Sequence, residues 1–185
     1  YAAFFFFFIT INFNKEFLTY LYPQYFYDYV KENALNYKID KNLMFSIIRS
    51  ESFFNTDIKS SAGAVGLTQL MESTAKDVSK KLRINDYDLK DPKINITFGT
   101  FYYAEMLRRL HGDYLSACFA YNAGINRVRN WKANYSSFPM DLFLEVLPYG
   151  ETREYGRKII NSFSVYSYIY ENIDPKDSLR LFFVK

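Results

Sequence analysis

From Lys41 the chain reads KNLMFSIIRSES, and the apolar residues Leu43, Met44, Ile47 and Ile48 recur three and four positions apart. That spacing gathers them on one face of an α-helix. Asp40, just before the run, is a residue type whose carboxylate accepts from the free N–H groups of a first helical turn. Upstream, residues 24–38 form an aromatic-rich segment that ends near Asn36-Tyr37-Lys38. Downstream, a helix is predicted over Ser73 to Lys81. Asp91-Pro92 announces another, with Asp as cap and Pro at the first helical position, where its missing N–H would have no partner anyway. This helix runs through FGTFYYAEMLRRL and stops at His111-Gly112. Asp113 caps a further helix through Ala120, and Asn122-Ala123-Gly124 reads as a turn. Short helices are predicted around 125–133 and 140–146, and a long one from about Glu151 to Glu171. No alternating strand pattern stands out, and a small β-hairpin between 80 and 92 is the most the pattern allows. The expected fold is mostly α.

The longest apolar run lies elsewhere. Residues Ala2 to Ile11 read AAFFFFFITI and turn polar at Asn12-Phe13-Asn14-Lys15. The run is too short to span a bilayer and is expected to be an export signal or the end of a membrane anchor, with a buried first element as the plainer reading. Residues 1–22 are therefore expected to be an exported lead-in, 23–172 a single domain and 173–185 a tail without a readable role.

The 185 residues suffice for one substantial core. With 49% apolar and 23% charged residues, a globular chain is expected rather than a disordered one. Aromatics reach 21%, almost all Phe and Tyr, a bias expected to fill core and surface alike. The net charge of +3 comes without a basic run interleaved with aromatics, so no nucleic-acid partner is expected. One Cys and one His leave no structural zinc site, and no cofactor is expected. Cys118, among small and apolar residues, reads as a buried hydrophobe.

A catalytic triad needs a histidine, and His111 sits beside a helix-stopping glycine, a place that suits a structural cation. Acid–base chemistry would therefore fall to carboxylates, Tyr or Lys. Four segments offer it. In Arg49-Ser50-Glu51-Ser52-Phe53, Glu51 ends an apolar helix, where apolar surroundings keep a carboxyl protonated near neutral pH, as a general acid requires. In Gly63 to Met71, glycines permit close approach of a ligand, and the Gln69 amide suits sugar hydroxyls and acetamido groups. In Ala120-Tyr121-Asn122-Ala123-Gly124, Tyr121 offers a ring face and a hydroxyl. In Leu147 to Tyr155, Glu151 opens a helix, and Arg153 is placed to pair with a carboxylate. Taken alone, the first three segments read more readily as a solvated, loop or capping stretch, and the fourth reads reasonably as a plain helix start.

Together they resemble, in order and spacing, the motifs of the lytic transglycosylase domain with its goose-type lysozyme-like fold. The match consists of Glu51-Ser52, GLTQLM at Gly66 to Met71, AYNAG at Ala120 to Gly124 and ETR at Glu151 to Arg153, with Ile94-Asn95-Ile96 and Gly99-Thr100 between. The resemblance covers roughly residues 25–172. Thr68 stands where the family commonly has Met, Glu72 where it has Pro, and Gly150 where it often has a small polar residue, which bears on subsite preference. The resemblance implies a compact lysozyme-like helical domain that cuts the β-1,4 bond between N-acetylmuramic acid and N-acetylglucosamine without water. It implies Glu51 as catalytic acid and base, oriented by Ser52. Gln69, Met71, Tyr121, Asn122 and Glu151 would line the glycan cleft, with Tyr121 and Glu151 also stabilising the transition state. The partner would be a peptidoglycan glycan strand met by a monomer in the periplasm or cell envelope, with membrane attachment through the N-terminal run. Two rivals remain. A muramidase hydrolysing the same bond would need a second carboxylate, for which Asp57, Glu72, Glu145, Glu151 and Glu154 are candidates. A wall-binding module would not use Glu51 chemically.

Overall fold

The computed structural model describes residues 15–135 and 138–183, so the apolar run at 2–11 lies outside the described residues. In chain order the helices are α1 (Lys15–Leu21), α2 (Tyr27–Tyr37), α3 (Lys41–Ser52), α4 (Glu72–Leu82), α5 (Pro92–Arg109), α6 (Tyr114–Ala123), α7 (Ile125–Asn134), α8 (Met140–Val146), α9 (Gly150–Glu171), α10 (Pro175–Ser178) and α11 (Arg180–Phe183). No helix among the described residues is long and apolar enough to cross a membrane.

The expected caps are in place. Asp40 accepts from the Asn42 N–H at 2.7 Å, Asp91 from Lys93 at 2.8 Å and Asp113 from Ser116 at 3.0 Å. Each satisfies an N–H that a first helical turn leaves free. α5 ends at His111 and Gly112, both with positive φ. Two expectations need correction. Asn122 and Ala123 belong to α6, and only Gly124, at φ 87°, makes the turn. The hairpin between 80 and 92 is absent, because α4 runs on to Leu82 and the following loop packs Tyr87 and Leu89 beneath α5. The pairing that does exist is two isolated antiparallel bridges, Lys59 with Val65 and Val65 with Leu70.

α3 is the central element. Leu43, Met44, Ile47 and Ile48 are fully buried, as their spacing predicts, and so are Phe45 and Ser46. The helix is enclosed on more than one face because α9 and α2 both pack against it. Phe45 stacks on Tyr166 of α9 with ring centroids 5.6 Å apart. Segments toward both ends of the described residues clasp this core. Tyr166 and Tyr170 donate hydrogen bonds to the Pro23 and Tyr22 carbonyls, each at 2.8 Å. In the tail, buried Phe182 meets Phe163 edge-on at 5.3 Å. The aromatic excess fills both environments: Tyr103, Phe98 and Phe119 are fully buried, while Tyr20, Tyr25 and Phe53 stay exposed. Cys118 is buried, with its thiol 3.6 Å from the Tyr103 hydroxyl. A smaller apolar cluster of Leu70, Ala75, Val78, Leu89 and Phe98 joins α4 to α5 and anchors the far end of the glycine-containing loop.

Candidate active site

Glu51 sits in the last turn of α3, and the backbone turns sharply just beyond it. Phe53 and Phe54 follow at φ 48° and 64°, a conformation that non-glycine residues adopt only when their surroundings impose it. Ser52 supplies one constraint. Its hydroxyl donates to the Ile48 carbonyl at 3.0 Å and accepts from the Phe54 N–H at 3.1 Å. Burial of the Phe54 ring supplies another. The Ser52 hydroxyl makes both of these hydrogen bonds to backbone. It stops the helix one residue past Glu51, so that the carboxyl lies at an element's end.

The Glu51 carboxyl is pushed up to about 7. Burial is the main cause, because it disfavours the charged form. The Tyr155 hydroxyl opposes the rise by favouring the carboxylate, and the Glu151 charge adds a smaller upward push. Tyr155 is buried on α9, and its hydroxyl lies outside normal hydrogen-bond geometry to any partner. It still lies near enough to Glu51 to favour the carboxylate. Tyr155→Phe removes that opposition, so Glu51 stays protonated to higher pH. The basic limb of the pH–rate profile is expected to move up by a few tenths of a unit or more. An unmoved limb would show that the hydroxyl does not act on Glu51.

Opposite α9, the loop from Gly63 to Met71 is tied to α5 by one buried side chain, Asn95. Its Oδ1 accepts from the Thr68 N–H at 2.8 Å and the Thr68 hydroxyl at 2.7 Å. Its amide donates to the Val65 and Leu89 carbonyls at 3.0 and 2.8 Å. Gly66, at φ 79°, leaves room for that amide, since a Cβ there would lie 2.3 Å from it. Gly99 does the same for Thr68, whose side chain a Cβ would meet at 2.4 Å. Gly99→Ala is expected to destabilise the fold by about 1–3 kcal/mol, read as a lower urea midpoint; an unchanged midpoint would mean that the loop gives way freely.

The loop, α6 and α9 then meet around Glu51. The Tyr121 hydroxyl donates to the Thr68 carbonyl at 2.8 Å. Burial and the Glu51 charge hold this phenol well above its ordinary value, so it stays neutral. With its proton committed, its oxygen is left to accept. Asn122 accepts from the Thr152 hydroxyl at 2.8 Å, which links the end of α6 to the start of α9 beside exposed Glu151. Gln69, at φ 47°, donates through its amide to the Ile58 and Gly66 carbonyls at 3.2 and 2.9 Å; that amide nitrogen braces the loop. Met71 is 42% exposed at the start of α4. Among the described side chains Arg153 has no carboxylate partner; its guanidinium donates to the Glu145 and Leu147 carbonyls at 3.2 Å each and closes the end of α8. Of the predicted residues, Glu151 is close enough for its charge to act on Glu51, and Glu51 for its charge to act on Tyr121. Gln69, Met71 and Asn122 flank them in sequence or through hydrogen bonds, and Ser52 lies beneath. Among the described residues no three His, Cys, Asp or Glu side chains gather as metal ligands.

The sequence reading quoted Tyr155 and Asn95 within its segments but gave neither a role. For Tyr155 a signal existed, since it lies four residues after Glu151 and so on the same helix face.

Residues 28–143 match the family described as Transglycosylase SLT domain. Over 153 residues the chain is 33% identical to the soluble lytic murein transglycosylase of Escherichia coli K12, covering 80% of this chain and 24% of that protein. The 70 kDa soluble lytic transglycosylase structure from Escherichia coli is similar at a TM-score of 0.85 and 29% identity, with 91% of this chain and 28% of that one covered. An inactive glutamate-to-glutamine variant of lytic transglycosylase Slt from Pseudomonas aeruginosa is similar at a TM-score of 0.80 and 31% identity, with 85% and 26% covered. The chain thus spans about a quarter of the length of these relatives.

Proposed function

The chain belongs to the Transglycosylase SLT domain family, and from that premise we propose that it cleaves peptidoglycan glycan strands without water, using Glu51 as both acid and base. The observation that carries this reading is the Glu51 carboxyl, held near pH 7 by burial at the end of α3. At neutral pH a substantial fraction of such a group is protonated, while its conjugate base remains accessible, and a group that must first give and then take a proton needs both states.

Protonated Glu51 donates to the oxygen bridging N-acetylmuramic acid and N-acetylglucosamine. The C1–O bond breaks, and the muramoyl N-acetyl oxygen stabilises the positive carbon. Carboxylate Glu51 then takes the proton from the C6 hydroxyl of the same sugar, whose oxygen bonds to C1. The products are a free N-acetylglucosamine hydroxyl and a 1,6-anhydro end, and Glu51 is again protonated. Tyr121, its own proton spent on Thr68, accepts from a sugar N–H or O–H, and Glu151 and Asn122 flank the same wall. Gln69 and Met71 line the cleft on the side of α4. Residues 23–172 form the catalytic unit. It works in the cell envelope as a monomer, since one chain supplies every residue of the site, and residues 2–11 serve for export or membrane attachment.

A second reading has one observation in its favour. Among the candidate second carboxylates only the Glu151 charge acts on Glu51. Asp57 pairs with Lys90, Glu145 and Glu154 with Arg157, and Glu72 accepts from Tyr87. Glu151 could therefore hold a water for hydrolysis. Borohydride treatment of muropeptides released from purified sacculi separates the two. Anhydro ends resist reduction and support lytic cleavage; ends that take up two hydrogens support the hydrolase. Sacculi bound but uncut would favour a wall-binding module.

A further inference from the structure

Two acceptors bear on the Tyr121 hydroxyl, the Thr68 carbonyl within hydrogen-bond reach and the Glu51 carboxylate through its charge. It donates to Thr68 at 2.8 Å. A phenol donating to a carboxylate favours the charged form, so a Tyr121 turned toward Glu51 would work against a proton donor. What decides the choice is the position of the Thr68 carbonyl. Thr68 lies in a loop of irregular backbone and is held by neither helix nor sheet, yet it is fully buried and immobilised from both ends of its own residue. Its N–H and its hydroxyl both donate to Asn95 Oδ1, and the hydroxyl also lies 3.2 Å from the Asn95 carbonyl. Asn95 itself has no exposed surface, and its amide protons are spent on Val65 and Leu89. Its oxygen holds Thr68, while its two amide protons tie Val65 and Leu89 to the same point of α5. Gly66 and Gly99 are the two positions where a side chain would collide with this pair.

We propose that Asn95 is a positioning residue for the acid: by fixing Thr68 it keeps the Tyr121 hydroxyl donating to the Thr68 carbonyl and turned away from Glu51, with its oxygen open to a donor group on the glycan. Asn95 touches neither substrate nor Glu51 in this scheme and acts through Thr68 and Tyr121. The groups that act on Glu51 are then sorted by element. From α6, Tyr121 withholds its proton; from α9, Tyr155 offers its own weakly and Glu151 adds a like charge. The inference rests on Glu51 being the acid, but it concerns where a proton points and can be read without cleavage.

The test is the Glu51 titration midpoint, followed by carbon NMR of the glutamate carboxyls and assigned by its absence in Glu51→Gln. In Asn95→Ala the loosened Thr68 releases Tyr121 toward Glu51, and the midpoint is expected to fall by about one pH unit. Adding Tyr121→Phe to Asn95→Ala should restore the wild-type midpoint, which simple loosening of the fold or entry of water would not do. If Asn95→Ala does not fold, Tyr121→Phe alone still decides. It should leave the midpoint within a few tenths of wild type, because no hydrogen bond to Glu51 is lost. A rise of about one unit in Tyr121→Phe would overturn the proposal, as would a folded Asn95→Ala whose midpoint stays put or is not restored by the second substitution. Failure of wild-type protein to cut sacculi would refute the proposed function and leave this titration result intact.

Discussion

Glu51→Gln is expected to lower the rate of glycan cleavage by roughly 10²–10⁴-fold or more, the scale set by loss of a positioned acid–base group. Binding to intact sacculi should change little. The amide has nearly the size of the carboxyl and fits the same surroundings on α9 and α6, but it can neither give the bridging oxygen a proton nor take one from the C6 hydroxyl. Since both steps pass through one side chain, substitution of Glu151 should cost less than substitution of Glu51. The measurement is release of soluble muropeptides against time, with sedimentation of sacculi to read binding. Near-normal release by Glu51→Gln would remove Glu51 from the chemistry.

The same substitution should raise stability at alkaline pH, an effect that points opposite to the loss of activity. Unfolded Glu51 has its ordinary pKa near 4.5, and in the fold it is raised to about 7. Below pH 4.5 the group is protonated in both states and contributes no difference. Between 4.5 and 7 the unfolded chain releases this proton while the folded one keeps it, so stability falls as pH rises. Above 7 the native state carries a buried carboxylate, and the penalty levels off at up to about 3 kcal/mol. Glutamine has no such penalty. Urea unfolding should therefore show Glu51→Gln more stable than wild type by an amount that grows from near zero at pH 4.5 to its full value near pH 8. A constant difference across that range would mean that Glu51 is not held protonated by burial.

Much of the fold was legible because local rules act alone at the helix ends. Asp40, Asp91 and Asp113 are short acceptors before apolar periodic runs, and each caps the helix it was expected to cap. The hairpin expectation failed because the polar stretch after Leu82 is organised by tertiary contacts of Leu89 and Tyr87 with α5, which leave no periodic mark. Glu51 could be singled out only through the resemblance that the four segments carry together, since a carboxyl at the end of an apolar helix reads by itself as a solvated one. Ser52 was legible as the neighbour of Glu51, but the partners of its hydroxyl were not. Whether a hydroxyl beside a carboxyl faces it or the backbone depends on the left-handed turn at Phe53 and Phe54, which bulky aromatics do not announce. Tyr155 was hidden among 18 tyrosines. Asn95 was hidden inside a helix, where its value lies in partners 27 to 30 residues back along the chain.

The most direct test of non-hydrolytic cleavage is digestion of sacculi in water enriched in heavy oxygen, followed by mass spectrometry of the released muropeptides. If the C6 hydroxyl closes onto C1, as the single acid–base group at Glu51 implies, the new ends carry no label and each product is one water lighter than its hydrolytic counterpart. Ends that each carry one heavy oxygen would show that water attacked C1, and would contradict the account.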